Sequence, residues 1–382
     1  MKNFLITLIV FQFLSCSEKK LISDNPLDFI SDTTSISIDR KTEPYTRALQ
    51  FLDGNLYWWN SNQGTINVFN LHGEKLKYTI PLEEDGPNGL GIPLGFFAIK
   101  SDSLIIPNMS YELSLINSKG NRFGKFDYNK LSKLGGVVVS MARYSSMIQT
   151  NSAGIFYFSM DDLENLSISD LNEQALQNYP PILSLDLTKE SFNYLDFKAP
   201  NSLLKYKNTI DFRIGASPKA LLLLHGQSST LYEVEFSGKN YKEHQLETNL
   251  ITKFSNEYYI SPRMSSSVDE NMRLAFRFSE NFGLAFDPFK NFLYRFGWPG
   301  EEIPQDENPL QFNSTPPFFT VSIYDGSDFS LIKEFTLPRN TYLAHHYFVD
   351  EKGLNLFPMH PENPEFNEDE LVIHTFDFSS LK

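Results

Sequence analysis

Four of the seven histidines, His345, His346, His360 and His374, lie close to the C-terminus. Asp350, Glu362 and Glu365 stand among them, so the region holds the donor types of a metal centre. The spacing argues otherwise. Neighbouring strand residues point to opposite faces, so His345 and His346 cannot both reach one ion unless the strand is distorted. No ligand spacing of a known type is present; structural histidines are expected, with no metal and no other cofactor.

Two further groups could bind a ligand. The loop Glu84-Asp85-Gly86-Pro87-Asn88-Gly89-Leu90-Gly91 offers oxygens from Asp85 and Asn88. Its three glycines permit positive φ and outward-turned N–H groups. The plainer alternative is a turn demanded by geometry. Arg143, Tyr144, Arg213, Tyr294 and Arg295 fall near expected strands. Brought around one opening, they would grip an anion or a sugar through guanidinium pairing and aromatic stacking; scattered, each would neutralise a carboxylate. Tyr57, Trp58 and Trp59 are consecutive, so they cannot all stack on one sugar ring.

Signatures of enzymes are missing. There is no Gly-x-Ser-x-Gly elbow, phosphate loop or His-Glu-x-x-His. Carboxylate pairs for glycoside hydrolysis are spatial and leave no trace in spacing, so a hydrolase or lyase stays open beside a binding module.

The single cysteine, Cys16, follows Lys2, an apolar run over 4–14 and the small residue Ser15. That is the layout of a secretory signal ending at a cysteine to be lipidated. At about 1.5 Å per residue the run reaches roughly 16 Å, short of a bilayer core of about 30 Å, so a spanning helix is not expected. The alternative is a conventional signal cut near Ser15 with Cys16 left free. Residues 1–15 thus read as signal, 16–33 as a polar tether and 34–382 as the folded body. A membrane partner through the lipid anchor, and a cell-envelope location on a periplasmic or surface face, follow from this reading.

Lys plus Arg number 33 against 47 Asp plus Glu, a formal charge of −14. Such a surface repels phosphate backbones, and nucleic acid is not an expected partner. One cysteine forbids an internal disulfide, so packing must supply stability. The 34 Phe and 18 Tyr suit short strands joined by turns.

The elements that must position these residues recur. Short apolar or alternating runs, bounded by Asp, Asn and Gly turns, come in groups of three or four. The groups are 56–59, 65–70 and 75–82; 101–107, 113–120 and 121–128; 155–158, 182–187 and 192–197; and 221–224, 231–236 and 241–246. A fifth holds 282–286, 292–296, 319–324 and 331–337, and a last holds 345–349, 354–358 and 371–378. A small antiparallel sheet cannot cover its own faces and edges, and radial repetition solves that. An all-β, six-bladed β-propeller is expected, with 35–39 supplying the outer strand of the last blade. Counting 272–278 as part of another blade would make seven. The segment 170–176 suggests a short helix, while 298–317 and 360–369 read as loops.

The loop at 84–91, the phrase Phe286-Asp287-Pro288-Phe289-Lys290-Asn291-Phe292-Leu293-Tyr294-Arg295-Phe296, the turn Tyr324-Asp325-Gly326 and the lipoprotein start occur together. With them the chain resembles the Bacteroidetes lipoprotein family known as domain of unknown function 4221. The resemblance implies a six-bladed propeller and an envelope location, and it implies no activity. The expected role is a binding or scaffolding module for an envelope protein, glycan or peptide, with a carbohydrate-active hydrolase or lyase as the rival.

Overall fold

Leu221, Leu222, Leu223 and Leu224 are all fully buried, and the side chains part in alternation. Leu221 and Leu223 join Tyr157 and Ile182 of the sheet before them, while Leu222 and Leu224 join Leu293 and Tyr324 of the sheet after. A strand covered on both faces shows a continuous apolar run, because its period of two is satisfied on each side. Trp58 and Trp59 divide in the same way, one packing with Phe357 and Leu371, the other with Phe96 and Leu104.

The computed structural model describes residues 24–128, 137–139, 148–151, 154–162, 172–178, 181–206, 212–254 and 267–382. Six antiparallel sheets form a ring. Blade I comprises Leu49–Leu52, Asn55–Asn60, Thr65–Asn70 and Lys75–Pro81. Blade II comprises Phe97–Lys100, Ser103–Asn108, Glu112–Asn117 and Arg122–Asp127. In blade III, Val137–Val139 and Ile148–Thr150 both pair with Ile155–Asp162, followed by Ile182–Asp186 and Ser191–Tyr194. Blade IV holds Phe212–Ala216, Ala220–His225, Thr230–Glu235 and Tyr241–Gln245. Blade V holds Glu280–Asp287, Phe292–Trp298, Thr320–Asp325 and Leu331–Thr336.

Blade VI is made from both ends of the chain. Tyr347–Val349, Leu354–Leu356 and Glu370–Phe376 are completed by Ile30–Ser37, whose register pairs Ser35 with Val372 and Ile36 with Leu371. Ile36 is fully buried on the side facing blade I. Phe29, just before the strand, lies 5.3 Å from Phe335 of blade V and 5.2 Å from Phe378. The closing strand therefore starts within the stretch read as tether, after a 3-10 turn at Pro26–Phe29.

Among the described residues, six apolar clusters lie one in each gap between neighbouring blades, the VI–I gap included. Burial at about 25 cal/mol per Å² is thus spread around the ring instead of gathered in one core.

The seven-blade count is overturned. Residues 272–278 lie largely in the helix Val268–Phe276, which Ser267 caps by accepting the Glu270 N–H at 3.4 Å. Its first turn carries Asp269 and Glu270, which favour a helix N-terminus. The helix docks on a second one, Pro309–Ser314, inside the segment expected to be loop; Phe276 and Phe312 meet edge-on at 4.9 Å. The short helix expected near 170–176 is present as Glu173–Asn178.

Candidate functional site

Six inner strands leave an opening at the centre, and what faces it decides its chemistry. A cavity of about 280 Å³ is lined by every blade: Leu49, Gln50 and Phe51 from I, Phe97 from II, Thr150 from III, Gly215 and Ala216 from IV, Leu284, Ala285 and Phe286 from V, and Tyr347, Phe348 and Val349 from VI. Phe51 and Phe348 stack at 4.8 Å. The Gln50 amide joins blades I and II, donating to Ala98 O at 3.0 Å and accepting the Ala98 N–H at 2.6 Å. Among the described residues, no carboxylate, imidazole, ammonium or guanidinium lines this cavity. The described lining offers aromatic faces, backbone edges and the Tyr347 phenol to a ligand.

The sequence-selected residues lie elsewhere. Asp85 is exposed in the loop joining blades I and II. Asn88 Oδ1 accepts the Arg122 N–H at 3.2 Å, and the Arg122 guanidinium donates to Gly89 O at 2.5 Å and Pro87 O at 3.3 Å. The loop is thereby fastened to the outermost strand of blade II. Gly86 and Gly91 take positive φ, 93° and 64°, whereas Gly89 does not. Gly89 is needed for space: a Cβ there would lie 2.9 Å from Glu84 O. Arg143 and Tyr144 lie outside the described residues, as does Cys16.

Arg213 and Arg295 do come together, on Asn281. Arg295 Nε donates to Asn281 Oδ1 at 2.7 Å, and Arg213 Nε donates to Asn281 O at 3.0 Å. Asn281 Nδ2 in turn donates to His225 O at 2.8 Å and Ser228 O at 2.7 Å. The other nitrogens of Arg295 reach the Tyr324 hydroxyl at 3.4 Å and Ser229 Oγ at 3.3 Å. Burial pushes the Arg295 guanidinium below its usual value, and the Tyr324 hydroxyl beside it acts in the opposite direction. Arg295 is fully buried and Arg213 is 5% exposed, so the network fastens blade IV to blade V. Asn281 was not singled out from the sequence, where it stands beside Glu280 just ahead of the apolar run 282–286.

The four histidines of blade VI disperse. His345 meets Phe282 edge-on at 4.8 Å, and His346 packs on Trp58 at 5.6 Å. His374 Nδ1 lies 2.8 Å from the Tyr342 hydroxyl, and His360 Nε2 lies 3.3 Å from Thr315 O. Among the described residues, no group of three or more His, Cys, Asp or Glu side chains is placed to hold a metal ion. Nor, among them, is any helix long and apolar enough to cross a membrane.

Similarity to known proteins follows the architecture. A member of the DUF4221 family from Bacteroides vulgatus superposes with a TM-score of 0.74 at 19% identity, covering 91% of this chain and 97% of that one. A Bacteroides fragilis chain named "putative exported protein" gives 0.55 at 9% identity, covering 92% and 96%. Identities this low speak to the fold alone. No curated protein matches the sequence. The family model described as "Domain of unknown function (DUF4221)" matches residues 25–336, and the chain belongs to that family.

Proposed function

We propose that this protein is a lipid-anchored, non-catalytic binding module of the cell envelope, holding a peptide or glycan of an envelope partner at the propeller channel. One observation carries the reading. The cavity to which all six blades contribute is largely aromatic and apolar, and among the described residues no titratable group other than the Tyr347 phenol lines it. Hydrolysis or elimination of a glycan needs a positioned acid and base, and among the described residues this lining offers one phenol, Tyr347, with no carboxylate or imidazole to complete a pair. Aromatic faces with few polar groups are what a binding pocket uses. The signal layout ending at Cys16 supports anchoring, and the name of the Bacteroides fragilis relative as exported is in keeping with it.

A soluble form beginning at Ser17 tests the binding half. Melting in the presence of a panel of oligosaccharides and short apolar peptides is expected to rise for one class, with every probe recovered unchanged. Phe348→Ala is expected to remove the rise. Release of product from any glycan would overturn the reading in favour of a carbohydrate-active enzyme. For the anchor, Cys16→Ser is expected to move the full-length protein from the membrane fraction to the soluble one, and unchanged partitioning would contradict lipidation.

A further inference from the structure

A second cavity, of about 500 Å³, opens between blades VI and I and shares Phe51 and Val349 with the channel cavity. We propose that it is a subsite for a cationic side chain, an arginine or lysine of a bound peptide. The inference deepens the binding-module reading and rests on it, but it concerns a distinct set of residues.

Three hairpin turns shape the cleft. Asp53 and Gly54 have φ of 49° and 72°, the backbone of a two-residue type I′ turn, and this turn carries the exposed Asp53 carboxylate. On the blade VI side, Asp350 Oδ1 accepts the N–H groups of Lys352 at 2.9 Å and Gly353 at 3.1 Å, which fixes its carboxylate at the rim beside the exposed Glu351. From blade V, Phe289 adds an aromatic face that is 61% exposed.

Charge selects the occupant. The nearby lysines already have carboxylate partners outside the cleft: Lys352 Nζ lies 2.7 Å from Asp32, and Lys290 Nζ lies 2.6 Å from Asp377. The lysine beside it holds the Asp32 carboxyl below its ordinary value. Lys352 also lines the cleft and lies in the field of Asp350 and Glu351, so three carboxylates, Asp53, Asp350 and Glu351, face one ammonium that is already bonded to Asp32, and the described lining of the cleft keeps a surplus of negative charge. Its floor makes no competing demand, since Thr375 Oγ1 donates to Asn355 Oδ1 at 2.7 Å and Asn355 Nδ2 donates to Gly353 O at 3.2 Å. An apolar wall with an exposed ring suits the methylene stem and flat guanidinium of arginine, and the rim carboxylates suit its charge. An anionic ligand would be repelled.

The test uses the soluble form beginning at Ser17 and two capped tripeptides, Gly-Arg-Gly and Gly-citrulline-Gly, which match in shape and differ in charge. Calorimetric titration is expected to show the arginine peptide binding at least about tenfold more tightly, by an amount that shrinks as salt rises. Combining Asp53→Asn with Glu351→Gln is expected to remove most of that difference. Asparagine tolerates the positive φ of residue 53, so the turn is preserved. Phe289→Ala, at an exposed position, is expected to weaken the arginine peptide several-fold. Equal binding of the two peptides, binding of neither, or an arginine preference untouched by the carboxylate substitutions would overturn the subsite. Phe348→Ala separates the two readings: a cleft that fails while the channel ligand still binds leaves the binding module standing. An arginine preference without any channel ligand supports the cleft alone.

Discussion

Replacing Gly283 by alanine is expected to destabilise the propeller by about 3 kcal/mol, the upper part of the range for overpacking a filled site. Gly283 lies in the inner strand of blade V, beside a bulge in its pairing with Phe292–Trp298. A Cβ there would fall 2.1 Å from the Tyr347 hydroxyl oxygen and 2.8 Å from its Cζ. Tyr347 cannot swing aside cheaply. It is 1% exposed and stacks on Phe296 at 3.9 Å, so moving it breaks the contact by which blade VI lies against blade V. Glycine is required here by the close passage of a neighbouring blade's ring and not by its own torsion angles. For a domain of this size the loss corresponds to a fall in Tm of about 5 °C. Adding Tyr347→Phe to Gly283→Ala removes the nearest clashing atom and leaves the one at 2.8 Å, so partial recovery is expected. A single variant that melts with the native protein would show that the V–VI interface is looser than described.

The second large effect is a loss of stability in mild acid, centred on His346. The ring is 9% exposed, its Nε2 accepts the Thr46 N–H at 3.4 Å, and its buried Nδ1 has no hydrogen-bond partner. Burial pushes the imidazole from 6.5 down to about 4. Between those two values the unfolded chain takes up a proton that the folded chain refuses, so stability falls as pH drops through that window. Below about 4 this group adds no further loss. At about 1.4 kcal/mol per unit the full effect is of the order of 3 kcal/mol. His360 and His374 are also pushed down by burial and act with the same sign. Asp32 and Asp377 are held below 3.8, so their contributions are lost only at lower pH and do not overlap. Urea unfolding at pH 7, 6 and 5 is expected to show a steep decline for the native chain. His346→Gln is expected to unfold with a shallower slope by nearly one proton. An equal slope in both would place the proton uptake elsewhere.

Much of the ring was legible because propeller strands are covered on both faces and end at recognisable turns. Runs such as 56–59, 104–107 and 221–224 stand out as apolar blocks, and Asp53-Gly54 announces its hairpin. The innermost strands of blades I to IV were missed; in blade III these are Val137–Val139 and Ile148–Thr150, of three residues each, and for the other three the reason is physical. Leu49–Leu52, Phe97–Lys100 and Phe212–Ala216 have only four or five residues, and the first two face the channel with mixed burial. They carry neither a long run nor a clean alternation. The closing strand was seen from Ser35 onward and not from Ile30, because its outer face is polar and its first six residues alternate between half-buried and exposed. The helix Val268–Phe276 had a usable signal, the serine-to-glutamate spacing of a capping box at Ser267 and Glu270, masked by the apolar residues that follow.

The site was less legible than the fold. Sequence places Phe286 and Phe348 in strands but not Phe51 and Phe97, and which aromatics turn toward one opening depends on the register of separate blades. The pairing of Arg213 with Arg295 through Asn281 likewise joins residues from two sheets. Asp85 and Asn88 drew notice through a glycine-rich loop whose observed contacts are with the outer strand of blade II.

Every site described here depends on a ring closed by the chain's first strand in a defined register. In a Cys16→Ser background, cysteines placed at Ser35 and Val372, which lie opposite one another in the ladder, test that closure most directly. Mild oxidation is expected to join them almost completely, with a loss of two hydrogens in mass and a higher Tm. The offset pair at Ser35 and His374 is expected to remain reduced. Failure of the aligned pair to couple, or equal coupling of the offset pair, would contradict the closed six-bladed ring.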